Sequence, residues 1–210
     1  MSEFAEEYTC RFCFTTQRVN FASAAREWQY KADGLFQIPA SAQGSVAVIL
    51  SLWRFEHQAH SSQGRYVTSR NLLATDTKRR YEIDYAYIIM GTFGTSYELV
   101  LGEAKGFGDL TDGDIQKMAD LADRFPRKPY LAFSTLKDCY SDEDKARLRA
   151  LAERGYHVIA LTREELDPYD LFERFEHAPH KYAISLKDLS QNTLHLNVGE
   201  PLRASETERA

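Results

Sequence analysis

The chain has 210 residues, enough for one ordinary domain with a small addition, and its 43% hydrophobic residues are enough to form a core. This composition excludes a disordered or fibrous protein. The formal net charge of -5 argues against binding polyphosphates through bulk charge, so a contact with nucleic acid would have to use local basic patches.

Two features of the sequence bear on where the protein works. The longest apolar run, Val46–Trp53, is far shorter than the roughly 18 residues of a membrane span. The first ten residues are acidic and lack the basic and apolar segments of a signal peptide. We therefore expect a cytoplasmic protein without a membrane partner, whose three cysteines stay reduced and form no disulfide framework.

Residues 1–40 are expected to form a small N-terminal module, because aromatic residues and turn formers alternate there in short stretches. Cys10 and Cys13 have the spacing of half a zinc site. A second pair of ligands is not evident in the sequence. We therefore favour two reduced thiols over a degenerate or incomplete zinc knuckle, and Zn²⁺ at Cys10 and Cys13 stays the alternative.

Residues 41–198 are expected to form the main domain, and residues 199–210 a loose polar tail. Apolar spacing and capping residues predict, in chain order, helix 41–61, strands 66–74, 81–90 and 97–105, a helix that follows turn and capping residues 109–114 and runs to 125, strand 130–136, helix 142–154, strand 156–161 and helix 164–175. This order predicts an α/β fold with a mixed central sheet flanked by helices.

Two carboxylates and a lysine stand out in the neighbouring strands of this domain. If the hairpin is symmetric about Phe93 and Gly94, Asp84 lies opposite Glu103, with Cβ atoms about 5 Å apart. Like charges so close need a cation between them, and hard carboxylate oxygens favour Mg²⁺ or Mn²⁺. Lys105 lies on the same face as Glu103, where it would orient or help deprotonate a water molecule and stabilise charge on a phosphate.

Asp84 followed by Glu103-Ala-Lys105 resembles the PD-(D/E)XK nuclease superfamily, which has the restriction-endonuclease-like fold and an αβββαβ core. The resemblance covers about residues 41–136 and implies that Asp84 and Glu103 bind metal and that Lys105 is the catalytic lysine. It also implies that Gln116, on the following helix, orients the site. The chain departs from the family pattern because no proline precedes Asp84.

Other interpretations of these residues stay open. Glu-x-Lys at the end of a strand is common, and Asp84 and Lys105 would then form an ordinary ion pair. Gln116 is equally compatible with a solvent-facing helix residue. Glu56, which lies where some family members carry an acid on the first helix, fits a surface residue better.

The predicted function is that of a metal-dependent DNA endonuclease. Local basic residues are candidates for phosphate contacts on double-stranded DNA: Lys78, Arg79, Arg80, Arg124 and Lys128. A single centre cuts one strand, so double-strand cleavage would need a homodimer, a partner subunit or repeated nicking. The alternative is a nuclease-fold module that binds nucleic acid or protein with an idle centre, and an enzyme acting on RNA is a third possibility.

Overall fold

A computed structural model of the chain forms two compact units, Met1–Gln37 and Ile38–Ala210. It describes residues 5–9, 16–20, 44–58, 63–73, 78–90, 97–167, 175–176, 178–181 and 185–199. The first unit contains the antiparallel strands β1 (Ala5–Thr9) and β2 (Thr16–Asn20), with Ala5 opposite Asn20. Cys10 and Cys13 lie outside the described residues, so the possible zinc site stays a prediction.

The second unit alternates helices and strands along the described chain. Its elements are α1 (Gly44–Gln58), β3 (Gln63–Leu73), β4 (Arg80–Met90), β5 (Tyr97–Lys105), α2 (Asp112–Ala122), β6 (Tyr130–Thr135), α3 (Asp142–Glu153), β7 (His157–Leu161), α4 (Arg163–Leu166) and α5 (Leu186–Val198). None of the helices in the described ranges is long and apolar enough to cross a bilayer.

The five strands form one mixed sheet in the order β3-β4-β5-β6-β7. Strands β3, β4 and β5 are antiparallel, whereas β5, β6 and β7 are parallel. Tyr85 lies opposite Gly102 and Met90 opposite Tyr97, which is the register expected from a symmetric hairpin. The predicted α/β class and mixed sheet are therefore confirmed.

Helices cover both faces of the sheet and bury two apolar clusters. On one face, Leu101 and Phe133 pack with Met118 of α2 and Leu148 of α3. On the other face, Phe55 of α1 packs with aromatic and aliphatic residues of β4, β5, β6 and β7. Because β5 is central and buried on both sides, its polar residues lie inside the protein and need partners there.

The C-terminal part of the domain differs from the expectation. The helix predicted over 164–175 begins at Arg163 and is described only as the single turn α4, and α5 was not predicted at all. Helix α5 carries buried polar residues that form hydrogen bonds with the backbone of the edge strand β7. Thr193 Oγ1 accepts from the Ala160 amide at 3.1 Å, and Asn197 Nδ2 donates to the Ala160 carbonyl at 2.8 Å. Hydropathy patterns detect such a helix poorly because polar residues interrupt the apolar ones on its buried face.

Candidate functional site

The pairing of β3 with β4 is interrupted at Asp84. Thr68 lies opposite Tyr85 and Arg70 opposite Ile83, but Ser69 and Asp84 form no pair between them. Ser69 has φ 48°, in the left-handed region that non-glycine residues rarely adopt. Backbone strain of this kind costs about 1–2 kcal/mol and is common at functional sites.

The Asp84 side chain replaces a backbone group in the sheet. The ladder between β4 and β5 ends at the pair Tyr85–Gly102, and Asp84 Oδ2 accepts a hydrogen bond of 2.7 Å from the Ala104 amide. Asp84 is thus held against the backbone that joins Glu103 to Lys105. Its other carboxylate oxygen, Oδ1, has no hydrogen-bond partner among the described residues and remains available to a ligand.

Glu103 is almost completely buried, with 5% of its surface exposed, and both carboxylate oxygens are paired. Lys105 Nζ donates to Oε1 at 2.8 Å, and Lys117 Nζ of α2 donates to Oε2 at 2.6 Å. A buried carboxylate is costly unless charge-assisted hydrogen bonds compensate it, and these two lysines supply them.

Lys105 is fixed a second time by the start of α2. Its ammonium lies 3.0 Å from Asp114 Oδ2. Asp114 belongs to a capping box in which the Thr111 hydroxyl accepts from the Asp114 amide, while the Asp114 carboxylate accepts from the Thr111 amide. The residues that begin the helix therefore also position the lysine.

The electrostatic environment distinguishes Glu103 from Lys105. Burial raises the pKa of Glu103, and the nearby Asp84 charge adds to this, although the hydrogen bonds from Lys105 and Lys117 oppose it. Burial lowers the pKa of Lys105, but Glu103 and Asp114 outweigh burial and leave that pKa raised. Lys105 is therefore a cation at neutral pH, suited to stabilising negative charge rather than to accepting a proton.

A buried polar network supports the strand that carries Asp84. The Tyr85 ring lies directly over Gly102, and its hydroxyl is 3.1 Å from Ser134 Oγ, which also accepts from Ser51 of α1 at 2.7 Å. Burial raises the pKa of Tyr85 to about 12, so the hydroxyl stays neutral. This packing joins β4, β5, β6 and α1 next to Asp84 and Glu103, the acidic pair of the site.

The structure brings Asp84, Glu103 and Lys105 together, but it places Gln116 elsewhere. Gln116 is exposed, and its amide donates to Asp120 at 2.5 Å. The residue of α2 that reaches Glu103 is Lys117, which sequence reasoning missed. The sequence did contain features that point to Lys117. Asp114 and Lys117 are three residues apart and share a helix face, and a buried Glu103 requires positively charged partners. Glu56 accepts a hydrogen bond from Tyr87.

The predicted phosphate-contacting residues are all exposed, and two of them meet at one tyrosine. Arg79 and Arg124 both lie over the Tyr81 ring, at 5.0 and 5.4 Å from its centroid. Arg79 also pairs with Asp120, on α2. Lys128 lies over the Tyr156 ring at 4.1 Å, and Lys78 and Arg80 flank Arg79 at the start of β4.

The donor set fits a hard divalent cation only in part. Two carboxylates are enough for Mg²⁺, which binds through one or two carboxylates and completes its shell with water and substrate phosphates. Asp84 Oδ1, which has no hydrogen-bond partner in the described part of the chain, supports such a site. Within the described residues, however, no group of three or more His, Cys, Asp or Glu side chains is arranged to hold a metal ion.

Comparison with known proteins gives a structural likeness. No family model and no curated protein matches the sequence. A solved structure, the MspJI restriction endonuclease in complex with a 27-mer oligonucleotide, is similar at 19% identity with a TM-score of 0.31. The match covers 71% of this chain and 35% of that chain, so the chain spans about a third of the length of that protein.

Proposed function

We propose that this chain is a metal-dependent nuclease that hydrolyses phosphodiester bonds in DNA by internal cleavage. The observation that supports this most is the position of Asp84. Its carboxylate accepts from the Ala104 amide, between Glu103 and Lys105, and the described residues offer no hydrogen bond to its second oxygen. Two acids and a protonated lysine thus lie near one another where the pairing of β4 and β5 ends.

In this proposal Asp84 and Glu103 hold Mg²⁺ or Mn²⁺. When bound, the cation supplies Lewis acidity, which acidifies water and offsets negative charge on the phosphate. Lys105, held by Glu103 and Asp114, orients the attacking water and stabilises the charge that develops on the phosphate oxygens. Because Lys105 has two fixed partners, its ammonium is already oriented before the reaction begins.

The exposed cations near Tyr81 and Tyr156 would bind phosphates along the DNA. Arg79 and Arg124 approach Tyr81 from the start of β4 and from the end of α2. Helix α2 carries both Lys117, which pairs with Glu103, and Asp120, which pairs with Arg79. Such contacts orient a duplex without reading its sequence. Cutting both strands would require a second copy, a partner subunit or two successive nicks.

One observation favours the second candidate, a module that binds nucleic acid or protein through this fold with an idle centre. Both oxygens of Glu103 are paired with lysines, so Glu103 is already neutralised without a metal. In that case the same cluster is a buried ion-pair network with a structural role. Metal-dependent turnover distinguishes the two candidates.

The proposal is tested by incubating supercoiled plasmid with the purified protein in Mg²⁺ or Mn²⁺, with EDTA as a control. We expect nicking that EDTA abolishes, and a loss of at least about 100-fold in rate for Asp84→Asn, Glu103→Gln and Lys105→Met. A single-stranded RNA and a duplex DNA of the same sequence, tested in parallel, identify the substrate class.

The matched control is Glu82→Gln. Glu82 is an exposed carboxylate on β4, two residues before Asp84, so its substitution removes the same charge outside the site. It should cleave at the rate of the unsubstituted protein. Cleavage that persists in both Asp84→Asn and Glu103→Gln would refute the proposed site. Folded protein that cleaves nothing with either metal would favour the binding module.

A further inference from the structure

Lys117 makes the shortest ion pair at the acidic site. Its ammonium lies 2.6 Å from Glu103 Oε2, compared with 2.8 Å between Lys105 and Oε1. Neighbouring residues Ile115 and Met118 are buried against the sheet, which fixes the rotation of α2 and directs Lys117 to Glu103. This contact is therefore part of the packed structure and not a chance surface pair.

The two lysines differ in how they are held. Lys105 has two carboxylate partners, Glu103 and Asp114, whereas Glu103 is the only polar partner of the Lys117 ammonium among the described residues. The two lysine side chains are similarly exposed, at 24% for Lys117 and 26% for Lys105, so the difference lies in Asp114. Asp114 holds the Lys105 ammonium close to Glu103, whereas no second carboxylate among the described residues holds Lys117 there, so Lys117 is the lysine that can turn away into water.

A divalent cation held by Asp84 and Glu103 would change the charge balance around Lys117. It would attract the Glu103 carboxylate more strongly than an ammonium does, and its double positive charge would repel the Lys117 ammonium. Asp114 would still hold Lys105, but Lys117 has no second carboxylate within the described part of the structure. The electrostatic repulsion would therefore act mainly on Lys117.

We infer that Lys117 is an internal counter-ion of the metal site, which neutralises Glu103 in the metal-free protein and is displaced when a divalent cation binds. This inference rests on the proposed function and adds a residue that competes with the metal. It makes Lys117 a positioning residue, because it acts through Glu103. It also explains how a buried carboxylate with both oxygens paired would become available as a ligand.

The test measures Mn²⁺ affinity directly, by titration calorimetry or by electron paramagnetic resonance of free Mn²⁺, on the full chain. Lys117→Met should bind Mn²⁺ about tenfold more tightly, because the competing ion pair is lost. Lys117→Arg, which keeps the charge, should bind with nearly the original affinity. Lys137→Met is the matched control, since Lys137 is similarly exposed at 27% and pairs with Asp109 instead.

A second measurement is thermal unfolding with EDTA and with Mn²⁺. Lys117→Met should melt at a lower temperature in EDTA, because Glu103 loses a partner, and should gain more from Mn²⁺ than the unsubstituted protein does. Unchanged or weaker Mn²⁺ affinity in Lys117→Met would overturn the inference while leaving the nuclease proposal intact. If the unsubstituted protein binds no Mn²⁺, the metal site itself is refuted, and the inference falls with it.

Discussion

Replacing Gly102 with alanine tests the link between the sheet and the candidate site. A Cβ atom at Gly102 would lie 2.0 Å from Tyr85 Cζ, and 2.2 and 2.3 Å from the neighbouring ring carbons. Favourable carbon contacts are about 3.5–4.0 Å, so the ring would have to move by roughly 1.5 Å. Tyr85 is fully buried, and its hydroxyl bonds to Ser134, so no free space receives the ring.

The expected cost follows from these contacts. Overpacking a core typically costs about 1–3 kcal/mol, and losing the hydroxyl hydrogen bond adds about 1 kcal/mol. Gly102→Ala should therefore lower the free energy of unfolding by about 3 kcal/mol in urea titrations. Tyr85→Leu should also destabilise the protein by itself. The double variant with Gly102→Ala and Tyr85→Leu should lose at least about 1 kcal/mol less stability than the sum of the two single losses, because the smaller side chain removes the clash.

Gly108→Ala is the matched control for this prediction. An added Cβ at Gly108 has no heavy atom within 4 Å, so its effect should stay within about 0.5 kcal/mol. Because Tyr85 adjoins Asp84, Gly102→Ala should also reduce nuclease activity under conditions where the variant is folded. A Gly102→Ala protein as stable as Gly108→Ala would refute the packing argument.

Four further predictions follow from particular contacts. Burial opposes ionisation of Asp114, but hydrogen bonds from Thr111 and Lys105 lower its pKa to about 2, so ionised Asp114 contributes stability above its ordinary pKa of 3.8 that is lost as the pH falls toward 2. In urea titrations, the free energy of unfolding should fall between pH 7 and pH 3 by about 1 kcal/mol less in Asp114→Asn than in the unsubstituted protein, allowing for solvent screening. Ser69→Gly should raise the urea midpoint by relieving the positive φ, and a lower midpoint would contradict the strain. Thr193→Val should cost about 1–3 kcal/mol in the same assay, because the buried Ala160 amide loses its acceptor. Gln116→Ala should leave the plasmid-nicking rate unchanged, because Gln116 bonds Asp120 on the exposed face of α2. A large loss of rate would show that Gln116 takes part in catalysis.

The parts of the fold that depend on local sequence patterns could be predicted. Strand β4 alternates buried Ile83, Tyr85, Tyr87 and Ile89 with less buried residues, which is the two-residue period of a strand. The register of β4 and β5 followed from the symmetry of one short connection. Because Glu103 and Lys105 are two residues apart on a strand, their shared face was also readable from spacing alone.

Which residue of α2 reaches the candidate site depended on packing between distant segments. On a helix, consecutive residues point about 100° apart, so whether Gln116 or Lys117 faces Glu103 depends on how α2 rotates as Ile115 and Met118 pack on the sheet.

Helix α5 shows the same dependence on tertiary structure. The buried polar residues of α5 are explained only by its position beside the edge strand β7, because they form hydrogen bonds with backbone groups of that strand. The sequence by itself determined the strands of the five-stranded sheet, the register of β4 with β5 and the acid-lysine pattern, because these arise from neighbours along the chain. Only the tertiary structure decided which side chains from elsewhere neutralise the buried carboxylate, because burial and charge compensation depend on segments far apart in sequence.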